Sequence, residues 1–230
     1  MLLEYRMTTQ ENAEPSGKKS RQQRRDERRE SIKQAAITVF SEKGYHNAKV
    51  SDIVASVGVA QGTFYLYYKG KQQLFGELLN DFLEMVVATV AAWEPASLET
   101  RDDLGSELTR VGIMLTEVLS QNRDLTTIFF KEAISVSSEF DELIQEFHDT
   151  LAAMLTTFNT ILHGRGLIEA MNFELLAYAT IGQVERIISE YVVNQTFKGV
   201  EPPELVDHLV WLFLTGTGRA ISSPSNALEA

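Results

Sequence analysis

Residues 49–71 read KVSDIVASVGVAQGTFYLYYKGK, and no other stretch limits the possible folds as tightly. Val50, Ile53, Val54 and Val57 recur at i, i+3, i+4 and i+7, which lays one apolar stripe along a short helix. Gly58 can take the left-handed conformation that ends a helix and turns the chain. A second short helix is predicted from about Ala60 to Tyr67, with Phe64 turned in beside the stripe. Two short helices joined by a tight glycine turn form a helix-turn-helix, whose second helix fits the major groove of DNA.

The flanking sequence is helical as well. Ile32, Ala36, Val39 and Phe40 form a stripe that Gly44 terminates, giving a first helix behind the pair. Residues 71–93 predict a long helix with Leu74, Phe75, Leu78, Leu79, Phe82, Met85 and Val86 on one side, stopped by Pro95. Segments 102–121, 124–135, 139–163, 173–197 and 203–216 carry apolar spacing near 3.6 without strand alternation. Asp102, Asp124 and Asn172 stand where N-caps belong, and Pro203 where a first turn tolerates proline. The expected fold is all-α: an N-terminal three-helix helix-turn-helix domain over 21–70, then a helical bundle over 71–230. Residues 1–20 read by composition as a disordered arm, and the tail after Gly218 as frayed.

Charge separates the same two parts. Residues 1–75 hold 13 Lys and Arg against 8 Asp and Glu, whereas residues 76–230 hold 8 against 24. A basic end attracts phosphate and an acidic remainder restricts the approach. Within the basic end, Lys18–Arg25 reads equally as a solvated helix face or as an arm following a DNA backbone. The chain has no cysteine, which excludes disulfides and thiolate metal sites. No apolar run reaches the ~20 residues that span a bilayer, and no signal-peptide core is present, so a cytoplasmic protein without a membrane partner is expected.

The 49–71 stretch and its flanks resemble the TetR family of transcriptional regulators. The matching residues are Gly44-Tyr45, Asp52-Ile53, Gly58-Val59, Gly62-Thr63-Phe64-Tyr65, Tyr67-Tyr68, Lys71 and Leu74-Phe75. The resemblance is specific over roughly residues 28–75; beyond that it is a matching succession of helices. It implies that Tyr65, Tyr67 and Lys71 hold the DNA backbone. The family usually has a hydroxyl residue near Ala48–Lys49, so Lys49 weakens a cap but offers an ammonium to phosphate.

Chemistry adds the base-reading candidates. Gln61 can bond adenine in a bidentate way, and Thr63 can meet a base or thymine methyl, although it can equally cap its own helix. Gly62 permits close backbone approach, and Ala60 admits a thymine methyl. Val50, opening the first short helix, completes the contact set. Leu66 is apolar and faces away from Phe64, with no role assigned.

For the acidic body, apolar helical spacing ordinarily means a packed core. The resemblance implies instead a partly hollow bundle that holds an effector. Phe129, Phe130, Phe147, Leu151, Met154, Leu155 and Phe158 are the apolar candidates for its lining. Glu132, His148, Asn159, Tyr178, Gln183 and Arg186 are the polar ones. A lipophilic effector is expected, an acyl thioester or a drug-like cation being examples. The last two helices are apolar over more than one face, which suits either a monomer with a larger core or the family's symmetric four-helix dimer interface. The homodimer reading places Ile181, Val184, Ile188, Leu205, Leu209 and Phe213 in that interface.

The four histidines, His46, His148, His163 and His208, show no metal-ligand spacing, and no GxSxG elbow or phosphate-cradling loop occurs. No catalytic residue, metal or cofactor is expected. The sequence thus predicts a ligand-responsive regulator, with repression as the default, whose dimer binds a near-palindromic duplex operator. A protein-interaction adaptor, or a dimeric small-molecule-binding module without operator binding, stands as the alternative.

Overall fold

The computed structural model describes residues 20–133 and 140–218, and these are helices and turns. All but one residue of the expected N-terminal arm, and the tail after Gly218, lie outside them. Helix α1 (Arg21–Lys43) opens on a reciprocal cap. The Ser20 hydroxyl accepts from the Gln23 N–H at 3.1 Å, and the Gln23 amide oxygen accepts from the Ser20 N–H at 2.8 Å. Gly44, at φ 75°, closes the helix. Helix α2 (Val50–Val57) lacks a side-chain cap at Lys49, as the sequence implies, but Asp52 compensates by accepting the Lys49 N–H at 3.0 Å. Gly58 then turns the chain in the left-handed region at φ 71°.

Helix α3 (Gln61–Phe64) is shorter than the predicted 60–67 segment. After Phe64 the chain tightens into turns: the Leu66 N–H donates to the Thr63 carbonyl at 3.2 Å and the Tyr67 N–H to the Phe64 carbonyl at 2.9 Å. This tightening keeps both Phe64 and Tyr68 buried. Helix α4 (Lys71–Ala91) leaves the module, and a short 3₁₀ turn at Pro95–Ser97 redirects the chain. The body continues with α5 (Arg101–Gln121), α6 (Arg123–Ile128), α7 (Asp141–Gly164), α8 (Phe173–Ile188) and α9 (Pro202–Thr217). Thr100, not Asp102, caps α5. Asn172 caps α8 as expected, accepting the Leu175 N–H at 2.9 Å. Asp124 sits inside the first turn of α6 and does not cap it. Wider π turns, Phe129–Ala133 and Ser189–Val193, extend α6 and α8.

Helix α1 packs on α2, α4 and α6; α5 packs on α9 and α7 on α8. The main core runs unbroken from Ile32 in α1 through Phe75 and Phe82 in α4 to Val192, so it crosses the expected boundary at residue 70. A second cluster at the far end gathers Trp93, Leu98, Leu104, Leu162, Leu167 and Ile168. Between α1 and α4, Lys33 pairs with Asp81 and Glu77, and Arg29 reaches Glu77 at 2.5 Å. The Tyr68 hydroxyl also donates to Glu77, at 3.3 Å, and burial pushes its pKa up to about 12, so it remains a donor.

Gly112 sets the approach of α5 to α9. A Cβ there would meet Val206 Cγ1 at 2.6 Å, and a β-branched side chain has little freedom to move aside. Alanine gains up to ~1 kcal/mol of helix propensity, while overpacking costs ~1–3 kcal/mol, so the clash wins. Gly112→Ala should therefore destabilise the fold by about 1 kcal/mol, read as a lower urea midpoint; a raised midpoint would show that the two helices have slack.

Candidate functional site

The helix-turn-helix presents one polar, exposed face. Lys49, Ala60, Gln61 and Gly62 are exposed, Tyr65 is 53% exposed, and Thr63 and Tyr67 are half-buried. Tyr67 leans on the core, as does Val50, whose side chain packs with the main cluster. Leu66 projects beside them at 72% exposure. The short α3 orders this face: Phe64 and Tyr68 anchor inward, 5.6 Å apart between ring centroids, and Tyr65 and Leu66 between them are turned out. Arg21, Arg24, Arg25 and Arg28 line exposed positions on α1, whereas Arg29 and Lys33 are engaged with α4. Lys18 and Lys19 lie outside the described residues.

Lys71 departs from its expected place at the DNA backbone. Its ammonium donates to the carbonyls of Tyr45, His46 and Ala48 at 2.5, 3.1 and 2.9 Å, and stands 4.5 Å from the Tyr45 ring centroid. An ammonium has three donors, and all three are used internally. Burial lowers the pKa of this group. Lys71 thus ties the start of α4 to the α1–α2 connection.

In the body, α4, α5, α7, α8 and α9 line a half-open cavity of about 210 Å³ together with the α6 π turn. That turn brings consecutive Phe129 and Phe130 to the lining. Phe129 lies against Phe82 of α4 at 4.7 Å. Of the expected lining residues, Phe129, Phe130, Phe147, Leu151, Leu155, Asn159 and Gln183 are present. Three are not. Phe158 turns away to meet Trp93 edge-on at 4.7 Å, and Met154 is half-buried off the lining. Tyr178 is exposed and donates to Asp149 at 3.1 Å. The Glu132 side chain lies outside what is described. His148 and Arg186 are also off the lining, Arg186 pairing with Glu190 at 2.6 Å. Sequence reasoning missed the contributions of α4 and α5, above all Trp93, Thr116 and Val86. Their residue types are those of a packed core, so spacing carries no sign that they face a void.

The residues expected at a dimer interface face inward. Ile181, Ile188 and Leu205 are buried within the protomer, and Val184, Leu209 and Phe213 line the cavity. The most apolar face of each helix is the protomer's own interior. The outward faces of α8 and α9 instead carry Leu175, Tyr178, Trp211 and Leu212, with Trp211 63% exposed.

Beside the cavity, His148 Nε2 bonds the Glu185 carboxylate at 2.8 Å, joining α7 to α8. That bond raises the His148 pKa above its ordinary value, against the opposing effect of burial. A raised folded-state pKa gives stability that is complete below the unfolded value of 6.5 and is lost as pH climbs through the folded value. The wild-type chain should thus lose more stability than His148→Gln between pH 6 and pH 8, measured by urea unfolding. Parallel pH profiles would remove the pair from the stability of the α7–α8 contact.

A helix-turn-helix joined through one long helix to a helical body with an apolar cavity defines a DNA-binding transcriptional regulator. Residues 32–78 match the family model described as bacterial regulatory proteins, tetR family. The chain is 26% identical over 193 residues to the HTH-type transcriptional regulator YdgC of Bacillus subtilis (strain 168), covering 83% of this chain and 92% of the relative. It is 27% identical over 172 residues to the fatty acid metabolism regulator protein of the same organism, covering 70% and 81%. The crystal structure of the transcriptional regulator FadR from Bacillus subtilis in complex with stearoyl-CoA superposes with a TM-score of 0.64 at 24% identity, over 81% of this chain and 98% of that one. The family match over residues 32–78 and the similarity to these regulators support a TetR family transcriptional regulator. Among the described residues, no helix is long and apolar enough to cross a membrane.

Proposed function

We propose that this chain is a ligand-responsive repressor, a cytoplasmic homodimer that binds a near-palindromic duplex operator and is released by a lipophilic molecule in the body cavity. The observation that carries the reading is α4. One face of it meets α1, which backs the helix-turn-helix, through Phe75 against Phe40, and two turns later Phe82 lines the cavity. A ligand that moves Phe82 against Phe129 therefore moves the helix on which the reading face is mounted. Residues 21–70 act as the DNA-binding domain and 71–230 as the effector and dimerisation domain.

Gln61 and Thr63 are assigned to base edges, with Ala60 and Gly62 allowing close approach. Tyr65, Tyr67 and Lys49 are assigned to phosphates, which position the protein without reading sequence. The dimer is assigned to the outward faces of α8 and α9, where Leu175, Tyr178, Trp211 and Leu212 would otherwise meet water. The likeness to a fatty acid metabolism regulator and to a fold solved with stearoyl-CoA favours a fatty-acyl effector over a cation. By linkage, the effector weakens DNA binding by the same factor as DNA weakens effector binding.

The test compares two variants across a panel of duplex variants. Gln61→Ala should relax discrimination at one base position by ~1–3 kcal/mol, while Tyr65→Phe should weaken all duplexes alike. A uniform loss for both would remove Gln61 from base reading. Stearoyl-CoA added to the complex should lower duplex affinity; an unchanged affinity with bound stearoyl-CoA would reduce the body to a dimerising module.

A further inference from the structure

We infer that the cavity selects a lipophile with an uncharged carbonyl head, such as a ketone, ester or thioester, anchored by Trp93 and Asn159, and that it rejects a free carboxylate. This deepens the effector reading above and rests on it.

The polar groups of the lining are few, and most are already satisfied. The hydroxyls of Thr116 and Thr180 donate to the carbonyls of Gly112 and Leu176, both at 2.8 Å. The Glu185 carboxylate is matched by His148. Gln183 is exposed and solvated. Two groups differ. Trp93 is 6% exposed, and its indole Nε1–H is buried without a hydrogen-bond partner among the described residues. Asn159 is 3% exposed, and its amide makes no hydrogen bond among the described residues.

Both line the same cavity and share one end of it. Trp93 follows the last turn of α4 and Asn159 lies near the end of α7, and Phe158 holds the indole against α7. Indole N–H is a donor only, and an amide supplies two further donors. Buried polar groups of this kind are hydrogen-bonded in folded proteins, so two unpartnered groups in the wall of one apolar cavity mark the place of an acceptor.

The charge of that acceptor follows from the rest of the wall. Among the described residues the lining has no Lys, Arg or His, and its one charged side chain is the acid Glu185. A carboxylate drawn in would be buried without a counter-ion, whereas a neutral carbonyl accepts the two donors at no such penalty.

Octane and 2-octanone, matched in length, separate the polar anchor from the apolar chamber. Their binding to the full chain is measured by headspace partitioning, and that of octanoate by calorimetry. The ratio of 2-octanone to octane affinity should fall about tenfold in Trp93→Phe and in Asn159→Leu, the value of one net hydrogen bond. Octane affinity should stay within about twofold, and wild-type octanoate binding should be weaker than that of 2-octanone. An unchanged ratio in both variants, or octanoate binding more tightly than 2-octanone, overturns the inference while leaving the effector cavity standing. Loss of octane binding in both variants makes the residues part of the chamber's shape and likewise overturns it. Failure of the wild-type chain to bind any of the three probes overturns the cavity reading together with this one.

Discussion

Phe75→Ala is expected to cost the fold about 3–5 kcal/mol, the usual price of removing a fully buried aromatic ring. The ring is 0% exposed and stands at the meeting of three elements. Its centroid lies 5.5 Å from Phe40 of α1, 4.5 Å from Tyr45 after α1, and 4.9 Å from Phe140 at the start of α7. Such tilted and edge-on pairs add to the area they bury. A cavity at this point can close only if helices move, because the neighbouring rings are themselves wedged. Urea unfolding should show a single transition at a much lower midpoint, since the core is continuous from α1 into the body. A loss below about 1 kcal/mol would show that the module and the body are packed independently of this ring.

Lys71→Met is expected to lower stability by about 2–3 kcal/mol, with the salt dependence of DNA binding unchanged. Methionine keeps the length and apolar stem of the side chain, so the change isolates the ammonium. Three carbonyls that now share one charged donor group would be left to water or to nothing, and hydrogen bonds to a charged group are worth more than neutral ones. For a chain of this size the loss corresponds to a fall of roughly 5–10 °C in melting temperature. A phosphate contact would behave differently: its removal reduces the slope of log affinity against log salt by about 0.9. A shallower slope with an unshifted melting temperature would return Lys71 to the DNA backbone.

The difference between these two readings of Lys71 illustrates where the sequence stops being legible. The match at Gly44-Tyr45 and Lys71 singles these residues out, but not that the lysine turns back onto the loop that the glycine creates. The first short helix was readable because its stripe and its terminating Gly58 are local properties. The length of the second was not, because residues 64, 67 and 68 keep the same inward spacing whether the chain is helical or in tight turns. Helices α5, α7, α8 and α9 were readable from period alone, yet which apolar face meets what is a tertiary property. Ile181, Ile188 and Leu205 look the same whether they pack on their own protomer or on another. A void adds a further difficulty, since Val86, Leu115 and Phe129 would be the same residue types around a filled core. Trp93 left one trace, an indole just before the Pro95 stop, but that its N–H has no partner among the described residues is visible only in three dimensions.

Selection of duplexes by the full chain from a random double-stranded pool, followed by salt titration of the enriched sequences, bears most directly on whether Gln61 and its neighbours read DNA in duplicate. The expected result is a pair of inverted half-sites one helical turn, ~34–36 Å, apart or a multiple of it, with log affinity falling linearly in log salt. A pool that stays random after selection, or an affinity indifferent to salt, would contradict it.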